Sequence, residues 1–190
     1  MTTPTSQPTS PATTGRGALL LALAKQAHQL LEATMADVTQ AQADYVPAGI
    51  ANPLGATYAH VIWSEDAVVQ GMLQGSAPLS ASSWAGRTGL SEPMPSPGPE
   101  WAGYADWTRR VKIDLPALRQ YAQAVEAATE AWIASLSEAD LDRPIDMSFI
   151  GLGEQPLASA IGILVMNHLG TETGEISVLK GLQGARGYPF

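Results

Sequence analysis

Apolar residues return every third or fourth position through four long segments of this chain, and hardly anywhere do they alternate. A three-and-four rhythm places them on one helix face, whereas a half-buried strand needs a period of two. From Gly17 to about Gln42 the rhythm runs through Leu20, Leu23, Ala27, Leu30, Leu31, Met35 and Val38. A second helix is expected from about Leu54 to Gln74, carrying Val61, Val68 and Met72 with Trp63 and Val69 beside them. The third pattern spans Trp101 to Leu136 through Val111, Leu115, Leu118, Ala122, Val125, Thr129 and Trp132. Pro116 interrupts it, which predicts either a kink or a fresh helix starting near Pro116. The fourth runs from Pro156 to about Leu182, with its proline suited to a first turn. These segments predict an all-α fold, a four-helix bundle.

The connections complicate the simplest up-and-down form. Val46-Pro47-Ala48-Gly49 and Asn52-Pro53 break the chain after the first helix. Between the second and third lies a long loop, Gly75 to Glu100, with five prolines and four glycines; loops of that length are functional or ordered against the domain. Leu141 to Gln155 alternates weakly around Gly151 and Gly153 and predicts a small hairpin or extended crossover before the fourth helix. Residues 1–15, MTTPTSQPTSPATTG, hold nothing that fills a core and read as a disordered tail, leaving 16–190 as the folded domain.

The stretch from Arg16 through GALLLALA to Lys25 imitates a signal peptide, but helical periodicity continues past Lys25. No window holds the roughly 18 apolar residues of a membrane span, so a cytoplasmic protein without a membrane partner is expected. The chain has no cysteine, which excludes disulfides, thiolate zinc sites, iron–sulfur clusters and a cysteine nucleophile. Ten basic and eighteen acidic residues give a net charge of −8, which argues against a nucleic-acid partner. Charged residues make up 15% of the chain, against an average of about 25%; so sparse a surface suggests part of it is covered, and a homodimer is expected.

No nucleophile elbow, HExxH helix, phosphate loop, EF-hand or dinucleotide fingerprint is present. The three histidines, His28, His60 and His168, therefore carry most of the information. Along the fourth helix the expected apolar stripe reads Ile161, Val165, His168, Glu172, Glu175 and Leu179. A carboxylate at a core position needs a partner or a cation. His168 and Glu172, four apart, can offer a nitrogen and an oxygen to one divalent metal; alternatively the stripe turns outward there and both glutamates are solvated. His60 stands among the small residues Ala56, Ser64, Ala67 and Gly71, which leaves room for a pocket or a close helix. It is a candidate third ligand, or else a core histidine bonded to backbone. His28 reads as an ordinary polar-face residue, and Glu65 and Asp66 as surface acids or partners of Arg109, Arg110 or Lys112. Trp84, Trp101, Tyr104 and Trp107 read as a clamp for the long loop, or a pocket lining. Gly170 and Gly174 permit close helix approach, within the chain or at a dimer seam.

The closing run MNHLGTETGEISVLKGLQGARGYPF resembles the end of DinB/YfiT-like proteins, whose last helix carries His-x-x-x-His-x-Gly-[Glu/Gln]-Ile; here it reads His168-Leu-Gly-Thr-Glu172-Thr-Gly174-Glu175-Ile176. NPLGATYAHVIWSED, around His60, is similar to the family's second helix. The resemblance spans Arg16 to Phe190 and implies a dimeric four-helix bundle of unusual connectivity, with a divalent metal on three histidines. Carried across, it implies His60, His168 and Glu172 as metal ligands, with Glu172 where the family has histidine, and Glu175 as a neighbouring proton acceptor. Zinc or nickel is implied first, manganese or iron being compatible. Characterised relatives imply a small-molecule substrate and transfer of a low-molecular-weight thiol to an electrophile, or metal–water hydrolysis. The alternative is a non-catalytic dimeric bundle, stress-related or binding small molecules, with a degenerate metal site.

Overall fold

A computed structural model of the protein describes residues 15–95 and 102–190. The expected tail, apart from Gly15, and Trp101 lie outside the described residues, as does the end of the long loop from 96 to 100.

Helix α1 (Arg16–Met35) is followed by the short α2 (Gln40–Ala43), and α3 (Leu54–Asp66) continues as π-helical turns through Ala67–Leu73. The third apolar pattern divides: α4 (Tyr104–Arg110) ends, and α5 (Leu115–Ser135) starts one residue before Pro116. The proline needs no amide partner in a first turn, and the Asp114 carboxylate accepts from Ala117 N at 3.1 Å to cap the new helix. After α6 (Glu138–Leu141), β1 (Pro144–Asp146) and β2 (Glu154–Pro156) form an antiparallel hairpin with Ile145 opposite Gln155, around the glycines that suggested one. The last helix comprises α7 (Leu157–Ile161), π-helical turns over Gly162–Asn167, and α8 (His168–Leu182).

Four of these helices make the bundle. α1 packs on α5 and α8, and α3 packs on the same two, so α1 and α3 occupy opposite corners. The steps from α1 to α3 and from α5 to α8 thus cross the bundle diagonally, while α3 and α5 are neighbours. The inner faces bring together Leu31, Tyr58, Ile62, Leu118, Tyr121 and Ile176, all buried; each such side chain contributes about 1.5–3 kcal/mol by leaving water. α3 is the most enclosed element: from Leu54 to Ile62 every residue is buried except His60. Gly55 allows that enclosure, since a Cβ there would stand 2.8 Å from the Ala43 carbonyl oxygen of α2.

The long loop is clamped, as its aromatic content suggested. Trp84 tilts against Tyr121 with ring centroids 5.9 Å apart, and Trp107 is wholly buried. The main anchor, however, is Asp66. Its carboxylate accepts from Leu79 N and Ser80 N at 2.8 Å each and from the Tyr121 hydroxyl at 2.6 Å.

Three surface expectations fail together. Asp66 and Glu65 are buried, and so is His28, which sits on the inner face of α1 where Leu23 was expected while Leu23 is exposed. His28 Nε2 meets Glu65 Oε1 at 3.0 Å and its Nδ1 meets Glu130 Oε1 at 3.0 Å. Burial alone would push this imidazole down, but the Glu65 and Glu130 carboxylates outweigh it and hold the pKa up at about 9. The cations once assigned to these acids go elsewhere: Arg110 pairs with Glu92, and Arg109 donates to the carbonyls of Gly49 and Ala51.

Candidate metal centre

His60, in the middle of α3, is half-buried within the otherwise buried run from Leu54 to Ile62. His168 begins α8 directly after the π-helical turns of Gly162–Asn167. Those turns explain a shift in the buried stripe. Bonding from i to i+5 adds a residue to the turn, so the core positions pass from Val165 to Leu169, Thr173 and Ile176. His168, Glu172 and Glu175, the expected core positions, are displaced to the stripe's flank, half-buried and facing α3.

There the two elements meet. His60 Nε2 and His168 Nε2 are 3.2 Å apart, with ring planes at 82°. Glu172 Oε1 lies 3.6 Å from His168 Nε2. One ligand atom from each of His60, His168 and Glu172 falls within 4.8 Å of the others, the one such group among the described residues. Two imidazole nitrogens and one carboxylate oxygen are a catalytic zinc-type donor set that leaves a coordination position open.

The surroundings prepare these groups for a cation. Burial, with His168 alongside, pushes the His60 pKa down to about 4, and burial lowers His168 as well, so both rings present neutral nitrogens. Burial pushes Glu172 up to about 7, and the Glu175 carboxylate adds to the effect; a cation would relieve both penalties. On the other edge of the His60 ring, Nδ1 lies 3.4 Å from Ser64 Oγ and 3.3 Å from Met94 Sδ. Donation from Nδ1–H to either acceptor leaves Nε2 as the lone-pair nitrogen facing His168.

Glu175 stands one turn beyond Glu172 and outside the ligand group, with its Oε1 accepting from the Thr57 hydroxyl at 3.4 Å. Tyr104 presents its ring edgewise to His60 at 5.2 Å, with Glu172 and Glu175 close enough to raise its pKa beyond what burial does. Thr57 and Met94 were not singled out from the sequence. Thr57 precedes His60 by three residues on the same helix, a spacing that signals a shared face; Met94, from a proline-rich loop, carries no comparable signal.

The described residues contain no helix long and apolar enough to cross a membrane. No curated protein matched the chain in a search. A conserved protein from Enterococcus faecalis, known from its crystal structure, superposes with a TM-score of 0.67 at 22% identity, covering 91% of this chain and 99% of that one; this likeness bears on the fold. Residues 23–171 match the DinB superfamily, a span that includes His60 and His168 and stops just before Glu172. With more than half its length matched, the chain belongs to the DinB superfamily.

Proposed function

We propose that this protein is a divalent-metal-dependent enzyme that transfers a low-molecular-weight thiol to a small electrophile. The observation carrying the proposal is the convergence of His60, His168 and Glu172 within 4.8 Å. The donor set suits zinc, and nickel, manganese or iron can also use it.

When bound, the metal supplies positive charge that lowers the thiol's pKa and holds its sulfur. His60 is oriented by Ser64 and Met94 at Nδ1, and Glu172 contributes a negative charge. Glu175 takes the thiol proton as the S–H bond breaks, while Thr57 steadies its carboxylate. The sulfur's electron pair forms the new S–C bond. The pair displaced at that carbon leaves with the departing group, or returns to a proton from Glu175 when an activated double bond has been attacked. A hydrolase variant places water where the thiol stands. A cytoplasmic homodimer belongs to the same reading; Val178 and Leu182, both more than 60% exposed on α8, support a contact there.

The test is metal content by mass spectrometry on untagged protein purified without chelator, beside His168→Ala. Near-stoichiometric metal in the parent and its loss in a folded variant is the expected result. Absence of metal in both, even after reconstitution with zinc, nickel and manganese, would overturn the enzymatic reading and leave a non-catalytic bundle.

A further inference from the structure

A cavity of about 620 Å³ opens near His60, lined by Trp63 of α3, the loop residues Glu92 to Pro95, and Gly103, Asp106, Trp107 and Arg110 in and beside α4. That volume lies within the range of small-molecule sites. It adjoins the candidate metal centre through three residues. Met94 lines the cavity and also touches His60 Nδ1 at 3.3 Å. Trp63, another lining residue, follows His60 by three positions on α3. Tyr104, edge-on to His60, stacks on the lining residue Trp107 with centroids 5.7 Å apart and planes at 24°.

The wall selects for shape. The half-buried Trp63 indole, backed by Trp107 beneath the surface, with the Met94 thioether and the rings of Pro93 and Pro95, favours a flat apolar body. The rim selects for charge. Its cation, Arg110, is held by Glu92 through bonds of 2.9 and 2.8 Å, and Asp106 adds a further carboxylate. An anionic ligand would meet a net negative rim whose arginine is already committed.

We propose that this cavity binds uncharged, planar aromatic compounds. Resting on the metal-dependent reading above, it is the subsite for the electrophile, which would lie with its reactive end towards His60.

The test uses two probes with the same ring, 4-nitrobenzyl alcohol and 4-nitrobenzoate, titrated calorimetrically into the whole protein with its metal content measured in parallel. The alcohol is expected to bind saturably and about tenfold more tightly than the carboxylate. Trp63→Ala should weaken the alcohol by about tenfold with metal content unchanged, and Trp63→Phe should restore most of the loss. Manganese-loaded protein should broaden the bound alcohol's proton resonances where zinc-loaded protein does not. No saturable binding, equal affinity for the two probes, or indifference to Trp63→Ala would overturn the proposal. Trp63-sensitive binding by a protein that retains no metal would support the cavity as an aromatic site while overturning the metal reading. Trp63-sensitive binding to a metal-loaded protein without manganese broadening would overturn its role as the electrophile subsite.

Discussion

His60 and His168, 108 residues apart in the chain, turn their Nε2 atoms towards each other at 3.2 Å. Two neutral imidazoles can meet this way only with a proton or a cation between the lone pairs. Glu172 Oε1, 3.6 Å from His168 Nε2, completes a group of three ligand atoms that could hold a metal ion.

Glu172 is the one carboxylate among the three candidate ligands, so its contribution is separable. Glu172→Gln keeps the shape and removes the charge. Zinc affinity, measured by competition with a chromophoric chelator, should fall at least tenfold, about 1.4 kcal/mol, while Glu172→His should retain tight binding. Unchanged affinity in the glutamine variant would exclude Glu172 from the ligand set.

The imidazole of His28, held up at about 9, gives stability a definite pH dependence. The folded protein keeps this proton at a pH where the unfolded chain, with its ordinary value near 6.5, has lost it. The stabilisation is complete below about 6.5 and disappears as pH rises through about 9. Glu126, pushed up to about 8 by burial and by Glu32, acts with the same sign from about 4.5 upward. Urea denaturation at pH 6, 7.5 and 9 should show a progressive loss on the order of 1–3 kcal/mol. His28→Asn should flatten the upper part of the profile; a slope unaltered by it would count against the assignment.

Asp66 fastens the long loop through three acceptor contacts. Asp66→Ala strands buried donors and should cost about 3 kcal/mol, whereas Tyr121→Phe removes one bond and should cost about 1 kcal/mol. Hydrogen exchange at Leu79 and Ser80 should accelerate in the first variant. Equal effects of the two substitutions would contradict the anchoring role.

Two glycines of similar backbone conformation provide an internal control. Gly89 has φ +79° and a Cβ built there would stand 2.5 Å from Leu118 N, whereas Gly49 has φ +78° and nothing within 4 Å. Gly49→Ala should cost about 1 kcal/mol, from left-handed strain alone. Gly89→Ala adds a backbone clash where the loop meets α5 and should cost substantially more, which thermal denaturation of both variants will show.

How much of this was legible in sequence follows from the reach of each interaction. Helix repeats are local, so the spacing of Leu115, Leu118, Ala122 and Val125 exposed α5, and Pro116 marked where it could start; the Asp114 cap emerged only in the structure. The four-residue step from His168 to Glu172 was likewise visible. Spacing could not show that the π-helical turns before His168 move the apolar stripe onto Leu169 and Thr173, leaving the histidine and glutamate on the flank that faces α3. Nor could it show that His28 is internal, because the residues that make its burial tolerable are 37 and 102 positions away.

By itself, then, the sequence determined the long helices, an interruption at Pro116, a non-helical stretch around Gly151 and Gly153, and the candidate ligands, all readable from neighbouring residues or a short motif; the structure chose a fresh helix and a hairpin. Only the tertiary structure decided which polar groups enter the core and which side chains share one site. Both are long-range: a buried charge is stable only beside a partner, and the packing of α1, α3, α5 and α8 supplies that partner.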